Sequence, residues 1–225
     1  MKSVFKTELE EIKLIKSGKV REVFEVEKYL LMVAADRISA FDVVMEDPIP
    51  GKGILLSQIS KFWFDKTKHI IPNHFITNNI DDYPEVCHKY KEQLQGRSML
   101  VKKCEPLAIE CIVRGYITGS GWKEYQKSQT VTGIKLPSGL IEFQQLPEPL
   151  FTPSTKAEEG HDENISFEQA CEIVGLEIAE KVRNTSIALY KFGAEYLAKN
   201  NLILADTKFE FGIDEDGELI LIIIP

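Results

Sequence analysis

Hydrophobic and polar positions predict that the first part of the chain is built mainly from β-strands. Residues 19–26 (KVREVFEV) and 29–36 (YLLMVAAD) are apolar or β-branched runs separated by two charged residues, a pattern that predicts a β-hairpin. Residues 53–70 instead bring apolar side chains near helical spacing and predict an α-helix. Residues 98–119 hold two further strand candidates around Pro106.

The second half of the chain predicts a mixture of loop, helix and strand. Residues 129–164 are rich in proline, glycine and charge and are typical of a long loop, a kind of segment that is usually functional or disordered. Ser166 followed by Gln169 predicts a capping box, with a helical pattern that runs to about Lys199 and is broken near Gly175. Residues 202–224 predict two strands joined by a turn at 214–217.

Length, composition and charge narrow the class of protein. The chain has 225 residues, and its length favours one compact unit of two closely joined lobes. A net charge of −8 argues against a nucleic-acid partner, because general binding of nucleic acid needs a basic surface. No apolar run reaches the length of a membrane helix, and the N-terminus lacks the apolar core of a signal peptide, so no membrane partner is expected.

The four cysteines and four histidines show no metal-binding spacing, so a zinc site is not predicted. Free thiols in a reducing compartment are the simpler interpretation of the cysteines. Together these features predict a soluble, cytoplasmic protein.

Two stretches near the N-terminus could line a binding site. Gly18 precedes a predicted strand, and such a loop lets backbone N–H groups approach phosphate oxygens while Lys19 and Arg21 supply positive charge. The general P-loop pattern is absent, and an ordinary turn explains the same residues. The stretch ADRISAFDVV brings Asp36 and Ser39 to the end of a strand, where polar residues often line sites; a salt-bridged turn is the alternative.

A third stretch, ECIVRGYITGSGWKEY at 110–125, places Arg114 before a glycine-rich segment around Ser120. With a helix predicted to begin near Trp122, the guanidinium and the free amides of the first turn would favour an anion. A glycine-rich connector with a solvent-facing arginine remains the alternative.

Charged residues concentrate in two further places. The stretch PSTKAEEGHDEN carries Lys156 and Asp162 and could close over a polar substrate, although a solvated loop is an equal alternative. Near the C-terminus, Asp206, Lys208 and Glu210 alternate along a predicted strand and therefore share one face. Carboxylates there could hold Mg²⁺ and a lysine could neutralise a transferred phosphoryl group, whereas an exposed face with cross-strand ion pairs is the alternative.

Six stretches in this order resemble the SAICAR synthetase (phosphoribosylaminoimidazole-succinocarboxamide synthase) family: GKVREVFEV, ADRISAFDVV, IPGKGILLSQIS, VRGYITGSGWKEY, FTPSTKAEEGHDENI and LADTKFEFGID. The resemblance covers residues 14–222. It implies an α+β fold with two lobes: an N-terminal β-rich lobe at 1–105, similar in outline to the small lobe of protein kinases, and a C-terminal α+β lobe at 106–225. It also implies that ATP binds in the cleft between the lobes.

The resemblance implies an ATP-dependent ligase of purine biosynthesis. The enzyme would join the carboxylate of carboxyaminoimidazole ribonucleotide (CAIR) to the amino group of L-aspartate through an acyl phosphate, releasing ADP and phosphate. An acyl phosphate is a good electrophile and a free carboxylate a poor one, so the protein would mainly position the reactants and stabilise charge. Mg²⁺ would be the cofactor, and ATP, CAIR and L-aspartate the small-molecule partners.

The resemblance also assigns roles to individual residues. The ATP phosphates would lie under the loop Gly18, Lys19, Val20 and Arg21, and adenine beside the strand end from Lys102 to Cys104. The residues expected at the substrates are Asp36, Ser39, Arg114, Ser120, Lys156 and Asp162. Catalysis is assigned to Asp206 and Lys208, and the metal to Glu210.

One feature departs from the family pattern. In the family, the strand written here as ELILI runs into a segment with a second metal carboxylate and an arginine for the substrate phosphate, and the sequence given stops at Pro225 instead. If these 225 residues were the complete protein, weak Mg²⁺-ATP binding and little turnover would be expected. The alternative function is then a nucleotide-binding pseudo-enzyme or an inactive truncated form. The sequence does not distinguish a monomer from a homodimer.

Overall fold

The computed structural model describes residues 3–40, 43–156 and 163–224 and divides the chain into two compact units. The first unit contains Met1–Lys68, Asn73–Glu105 and Asp214–Glu218, and the second contains His69–Pro72, Pro106–Ile213 and Leu219–Pro225. A contiguous division into 1–105 and 106–225 therefore describes the units incompletely, because each unit includes one short segment from the other part of the chain.

The first unit is a five-stranded antiparallel sheet with one long helix, in the strand order β1-β2-β3-β7-β6. The elements are β1 (Lys13–Ser17), β2 (Arg21–Val26), β3 (Tyr29–Ala34), β4 (Ser39–Ala40), β5 (Val43–Val44), α1 (Lys52–Thr67), β6 (Phe75–Thr77), α2 (Lys91–Leu94) and β7 (Ser98–Lys102), with 3₁₀ turns at Ile80–Asp82 and Glu85–Tyr90. The predicted hairpin is confirmed, since β2 and β3 pair from Arg21 opposite Ala34 to Val26 opposite Tyr29.

The core of the first unit forms because alternate residues of β2 and β3 point to the same side of the sheet. Phe24 and Val26 on β2, and Leu31 and Val33 on β3, are buried together in one cluster. Side chains from the 3₁₀ turns and from α2, among them Leu94, complete that cluster. Each large apolar side chain buried in this way contributes about 1.5 to 3 kcal/mol to folding.

The predicted helix at 53–70 is confirmed as α1, which ends three residues earlier than expected, at Thr67. Its first turn passes very close to the sheet. A Cβ atom on Gly53 would lie 2.2 Å from the carbonyl oxygen of Ala34, so only glycine permits this approach. The close contact fixes the start of α1 against β3.

The second unit is a mixed arrangement of strands and helices around β9. Its elements are β8 (Glu105–Pro106), β9 (Ile109–Tyr116), α3 (Gly119–Ser128), β10 (Thr130–Val131), β11 (Ile134–Lys135), β12 (Gln145–Phe151), β13 (Ser154–Thr155), α4 (Phe167–Val174), α5 (Leu176–Ala198), β14 (Asp206–Ile213) and β15 (Leu219–Ile223). The main sheet has the antiparallel order β12-β9-β14-β15, with β13 paired to β9 and β8 to β14.

Two expectations for this unit are wrong. Residues 129–164 are not one long loop, because the described part of this segment contains the strands β10 to β13. The sequence of β12, QLPEPLF, contains two prolines and therefore does not predict a strand. The prolines are tolerated because the pairing of β12 with β9 is irregular between Gln145 and Leu150. Helix α3 begins at Gly119 rather than near Trp122, so Ser120 lies inside its first turn.

The predictions of the capping box, of the helix break at Gly175 and of the closing hairpin are confirmed. Ser166 and Gln169 form a reciprocal capping box at the start of α4, and Gly175 separates α4 from α5. Strands β14 and β15 form the closing hairpin, where the Asp214 carboxylate accepts hydrogen bonds from the backbone of Asp216 and Glu218. Among the residues that the structure describes, no helix is long and apolar enough to cross a membrane.

Candidate active site

The pairing of β9 with β14 produces a polar face on the sheet of the second unit. Asp206 lies opposite Arg114, and Lys208 lies opposite Ile112. Since side chains alternate between the two faces of a sheet, Glu110 and Arg114 of β9 share one face with the predicted residues of β14. The intervening residues, such as Cys111, Val113 and Phe209, are buried on the other face.

Arg114 is held by three side chains at one end of this polar face. Its Nε donates to Thr152 Oγ1 at 3.1 Å, its Nη2 donates to Ser120 Oγ at 3.0 Å, and its Nη1 donates to Asp206 Oδ2 at 3.3 Å. Burial lowers the pKa of Arg114, while the negative charges of Asp206 and Glu124 oppose that shift. A guanidinium stays protonated in proteins, so this end of the face carries a fixed positive charge with a defined orientation.

Two further ion pairs continue along the same face. Lys208 Nζ donates to Glu110 Oε1 at 2.6 Å, and Ser154 Oγ donates to the other Glu110 oxygen at 3.4 Å. Lys156 Nζ donates to the Glu210 carboxylate. Positive and negative groups therefore alternate over the face, an arrangement suited to a ligand that carries both phosphate and carboxylate groups.

The start of α3 supports Arg114 from the side. Gly119 has a left-handed φ of 57°, and Ser120 follows it with its hydroxyl on the guanidinium. Asn164 Nδ2 also donates to Ser120 Oγ, at 3.5 Å. The first N–H groups of α3 are not capped by the Thr118 side chain, so backbone donors remain at this helix terminus near Arg114.

The prediction that Asp206, Lys208 and Glu210 share a face is confirmed, and so is the cross-strand ion pairing given as the alternative. The face is not simply solvated, however. Glu210 is only 8% exposed and Arg114 only 6%, whereas Asp206 and Lys208 remain accessible. Buried charges with specific partners next to accessible ones make this face a candidate binding site.

The loop predicted to cover phosphates is fixed by an arginine in the first unit. Arg37 donates to the carbonyl oxygens of Gly18 at 2.9 Å and Lys19 at 2.8 Å, and its Nη1 lies 2.6 Å from the buried Glu22 carboxylate. The backbone closes a tight turn in which Gly18 N donates to Arg21 O at 2.8 Å. Because these carbonyl oxygens are bound from one side by Arg37, the shape of the loop is set before any ligand arrives.

Asp36 is a correction to the sequence prediction. Its side chain has no exposed surface, and its two oxygens accept hydrogen bonds from Arg97 at 2.9 and 3.2 Å and from Val4 N and Gly53 N at 2.8 Å each. Burial raises the pKa of this carboxyl, but the hydrogen bonds and the charge of Arg97 outweigh burial and hold the pKa below its ordinary value. A carboxylate used in this way joins β3, β7 and α1, and it cannot also contact a substrate in this conformation.

The other predicted residues of the first unit are spread over separate elements. Val20 lies between the turn and β2, and its carbonyl oxygen accepts from Ala35 N at 3.0 Å. Ser39 is half-buried in β4 opposite Val44. Lys102 ends β7 with an exposed side chain, and Cys104 follows as a half-buried cysteine outside any disulfide. The remaining substrate prediction, Asp162, lies outside the described residues.

Sequence reasoning missed the residues that organise these sites. Glu110 and Thr152 complete the polar face, and Arg97 holds Asp36 in the first unit. Glu110 had a detectable signal, since it lies four residues before Arg114 on one strand and therefore on the same face. Thr152 and Arg97 had none, because their partners are 38 and 61 residues away along the chain.

The described residues offer limited ligands for a metal ion. They contain no group of three or more histidine, cysteine, aspartate or glutamate side chains close enough to hold one. Mg²⁺ is often bound by only one or two carboxylates together with substrate phosphates and water. Glu210 fits such a role, because its carboxylate already binds a cationic group, the ammonium of Lys156.

The known proteins that are similar to this chain belong to one family. The family model described as SAICAR synthetase matches residues 14–223. A phosphoribosylaminoimidazole-succinocarboxamide synthase of Desulfosudis oleivorans is 60% identical over 220 residues, covering 97% of this chain and 75% of the relative, and one of Thermodesulfovibrio yellowstonii is 58% identical over 219 residues with the same coverage.

Solved structures are similar along nearly the whole chain. The SAICAR synthase of Saccharomyces cerevisiae complexed with SAICAR has a TM-score of 0.92 and 48% identity, covering 99% of this chain and 76% of that one. A type-2 SAICAR synthetase in complex with ADP has a TM-score of 0.74 and 28% identity, covering 96% of this chain and 80% of that one.

Proposed function

The chain belongs to the SAICAR synthetase family, and from this premise we propose how its residues carry out the family's reaction. The protein is an ATP-dependent ligase of purine biosynthesis that joins the carboxylate of CAIR to the amino group of L-aspartate, giving SAICAR, ADP and phosphate. The observation that carries the assignment of residues is the polar face of β9 and β14, where Arg114, Asp206, Lys208 and Glu110 alternate in charge.

The chemistry requires two substitution steps, and in each step one bond forms and another breaks. In the first, a CAIR carboxylate oxygen attacks the γ-phosphorus of ATP, the bond to the β,γ-bridging oxygen breaks, and ADP leaves. In the second, the aspartate amine attacks the acyl carbon of the resulting acyl phosphate, phosphate leaves with the bonding electrons, and the amine nitrogen loses a proton. Both steps develop negative charge on phosphoryl oxygens, so the protein must supply positive groups at fixed positions.

Lys208 is suited to meet that charge. Its ammonium is accessible, and a hydrogen bond of 2.6 Å from Lys208 Nζ to Glu110 Oε1 fixes its position. Arg114, with its three side-chain partners, is suited to hold the ribonucleotide by its phosphate or carboxylate together with Ser120. Asp206 orients the guanidinium while keeping part of its own carboxylate exposed towards a ligand.

The nucleotide is assigned to the first unit. The turn Gly18–Arg21 presents backbone N–H groups and two cationic side chains, and Arg37 holds its carbonyl oxygens. Lys102 and Cys104, at the end of β7, are the proposed neighbours of adenine, with backbone groups providing the contacts. The ADP complex of a related synthetase supports nucleotide binding by this fold.

Glu210 is the residue proposed to hold Mg²⁺. The metal, when bound, would neutralise phosphate charge during transfer. In the protein alone, Lys156 provides the positive charge beside the Glu210 carboxylate. Lys156 is therefore proposed to release Glu210 and to turn to a substrate carboxylate when the substrates bind.

We place the protein in the cytoplasm. None of the four cysteines forms a disulfide, which agrees with a reducing compartment. Two of them, Cys87 and Cys111, are buried, and burial raises the pKa of their thiols to about 11 and about 12, so they are not reactive nucleophiles. Fractionation of cells followed by immunodetection would test the location.

A coupled assay for ADP tests the proposed function. We expect ADP release only when ATP, CAIR and L-aspartate are all present, with SAICAR formed in equal amount. ADP release without aspartate would indicate a different acceptor. Binding of ATP without any ADP release would instead support the alternative of a nucleotide-binding pseudo-enzyme.

A further inference from the structure

Tyr190 connects helix α5 to the strand end that carries Asp206. Its side chain is buried, and its hydroxyl donates a hydrogen bond to the Leu204 carbonyl oxygen at 2.6 Å. Leu204 lies two residues before Asp206, where β14 begins. The hydroxyl therefore fixes the backbone directly upstream of a residue of the polar face.

The same hydroxyl also lies against the backbone of β9. A Cβ atom on Gly115 would be 1.8 Å from the Tyr190 oxygen, a distance that no side chain permits. A glycine within a strand often marks such a close approach of another group. Gly115 directly follows Arg114, so Tyr190 touches the chain next to both partners of the Arg114–Asp206 pair.

Backbone hydrogen bonds join these two strand ends at the same point. The carbonyl oxygen of Ala205 accepts from Gly115 N at 2.9 Å and from Tyr116 N at 3.2 Å. From here the regular pairing of the two strands continues with Asp206 opposite Arg114. The segment 204–206 is thus held by Tyr190 on one side and by β9 on the other.

The Arg114–Asp206 contact has little tolerance for movement. Its length of 3.3 Å is already near the outer limit for a hydrogen bond of this kind, so a shift of a few tenths of an ångström in β14 would break it. Binding groups generally need their supporting residues to hold them within about 0.5 Å of the productive geometry. By holding the backbone at Leu204, Tyr190 helps to maintain the distance between the Arg114 guanidinium and the Asp206 carboxylate.

We propose that Tyr190 is a positioning residue for the ribonucleotide: its hydroxyl fixes the backbone at 204–206 and thereby holds Asp206 against the Arg114 guanidinium. The inference rests on the proposed function, because it concerns the affinity of the same site for CAIR. Tyr190 belongs to α5, behind the sheet, and acts through Leu204 and Gly115 rather than by contact with substrate.

The first test is Tyr190→Phe, which removes the hydroxyl and keeps the ring. We expect the dissociation constant for CAIR, measured by calorimetry, and the KM for CAIR to rise about tenfold, the loss that one well-placed hydrogen bond can cause. The KM for ATP should stay at the wild-type value. A loss of folded protein alone would lower the apparent kcat and leave the KM for CAIR unchanged.

Gly115→Ala provides a second variant that perturbs the same contact from the other side. Tyr190, Gly115 and Leu204 line a cavity of about 300 Å³, so the tyrosine ring has space to move away from a new methyl group. The variant should therefore fold, lose the bond to Leu204, and weaken CAIR binding by at least as much as Tyr190→Phe does.

Tyr83→Phe is the matched control. Tyr83 is equally buried, and its hydroxyl is bonded to Ser98 at 3.1 Å within the first unit. Its loss should lower the melting temperature without changing the affinity for CAIR. The inference is overturned if Tyr190→Phe binds CAIR as the wild type does, or if Tyr83→Phe weakens CAIR binding equally. A wild-type protein that releases no ADP with CAIR and aspartate would instead overturn the proposed function.

Discussion

Lys208 and Lys191 are two lysines of the second unit that differ in their surroundings. The Lys208 ammonium lies 2.6 Å from a carboxylate that is only 8% exposed, that of Glu110, whereas Lys191 pairs at 3.2 Å with the exposed Glu148. Exposed pairs contribute at most about 1 kcal/mol to stability. In the Lys208–Glu110 pair, a buried carboxylate orients an accessible ammonium. This arrangement is better suited to catalysis than to stabilising the fold.

Lys208→Ala is expected to lower kcat about 10²- to 10³-fold, the usual effect of removing one group that stabilises transition-state charge. Unfolding free energy should fall by about 1 to 3 kcal/mol, because Glu110 keeps the Ser154 hydroxyl but loses its charged partner. The coupled ADP assay and a denaturant titration measure the two effects separately. Lys191→Ala is the control and should leave both kcat and the unfolding free energy close to their wild-type values. If Lys208→Ala has the same kcat as the wild type, Lys208 takes no part in the reaction.

Arg114→Lys should raise the KM for CAIR about 10- to 100-fold, since charged hydrogen bonds contribute about 1.5 to 3 kcal/mol each. Lysine keeps the positive charge but lacks the planar fork that reaches Thr152, Ser120 and Asp206 together. The KM for ATP should not change. Steady-state kinetics with each substrate varied in turn would measure this, and an unchanged KM for CAIR would contradict the role given to Arg114.

At the scale of elements, one carboxylate joins three of them. Asp36 follows β3, binds Arg97 just before β7, and accepts from Gly53 N in the first turn of α1. Gly53 brings that turn close enough for the bond to form. The junction is therefore a buried ionic contact that depends on a glycine, and it holds the helix on the sheet.

Asp36→Ala is expected to destabilise the protein by about 3 to 5 kcal/mol, because it leaves the Arg97 guanidinium buried without its partner. The pKa of Asp36 is lowered in the folded protein, so its contribution is complete above the unfolded pKa of about 3.9 and is lost as pH falls through the folded pKa. Denaturant titrations at pH 7 and pH 5 should give the same difference from wild type, and the difference should narrow below pH 4. A difference that shrinks already between pH 7 and pH 5 would contradict this assignment.

Elements with local signals could be predicted from the sequence. The hairpin of β2 and β3, helix α1 and the capping box of α4 depend on residues close together in the chain, and all three were predicted at nearly their true positions. Strand β12 was not, because its prolines and charges resemble a loop and its pairing with β9 depends on residues far away in sequence.

The candidate site shows the same limit. The alternation in β14 predicts which of its side chains share a face, but not that β9 lies beside it and contributes Glu110 and Arg114. Asp36 has the polar character of a site residue, and only the structure shows that Arg97 and two backbone amides use its oxygens. Residue type alone does not distinguish a buried structural carboxylate from an exposed binding one.

At the scale of the whole molecule, the acid response of stability involves a buried histidine. His74 is 4% exposed, its Nε2 has no hydrogen-bond partner among the described residues, and its ring packs on Phe64 with centroids 5.3 Å apart. Burial, assisted by the positive charge of Arg21, lowers the pKa of His74 to about 3. Unfolding raises the pKa towards its ordinary value of about 6.5, so protons favour the unfolded chain.

The wild type is therefore expected to lose stability as pH falls below 6.5. Between pH 6.5 and pH 3, His74 alone should lower the free energy of unfolding by about 1.4 kcal/mol for each pH unit. His74→Phe should remove that part of the slope while keeping the aromatic packing. Denaturant titrations at pH 7, 6 and 5 measure it, with His69→Phe at an exposed histidine as the control. Equal slopes for wild type and His74→Phe would contradict the prediction.

The exchange of short segments between the two units has a consequence for synthesis on the ribosome. The first unit includes Asp214–Glu218, where Asp214 lies 3.9 Å from Lys102, although the rest of that unit is complete by Glu105. At about 5 to 20 residues per second, roughly 5 to 20 s separate the two parts during translation. During translation, the residues of the first unit up to Glu105 therefore emerge before Asp214–Glu218 has been synthesised. A fragment that ends at Glu105 lacks this segment altogether.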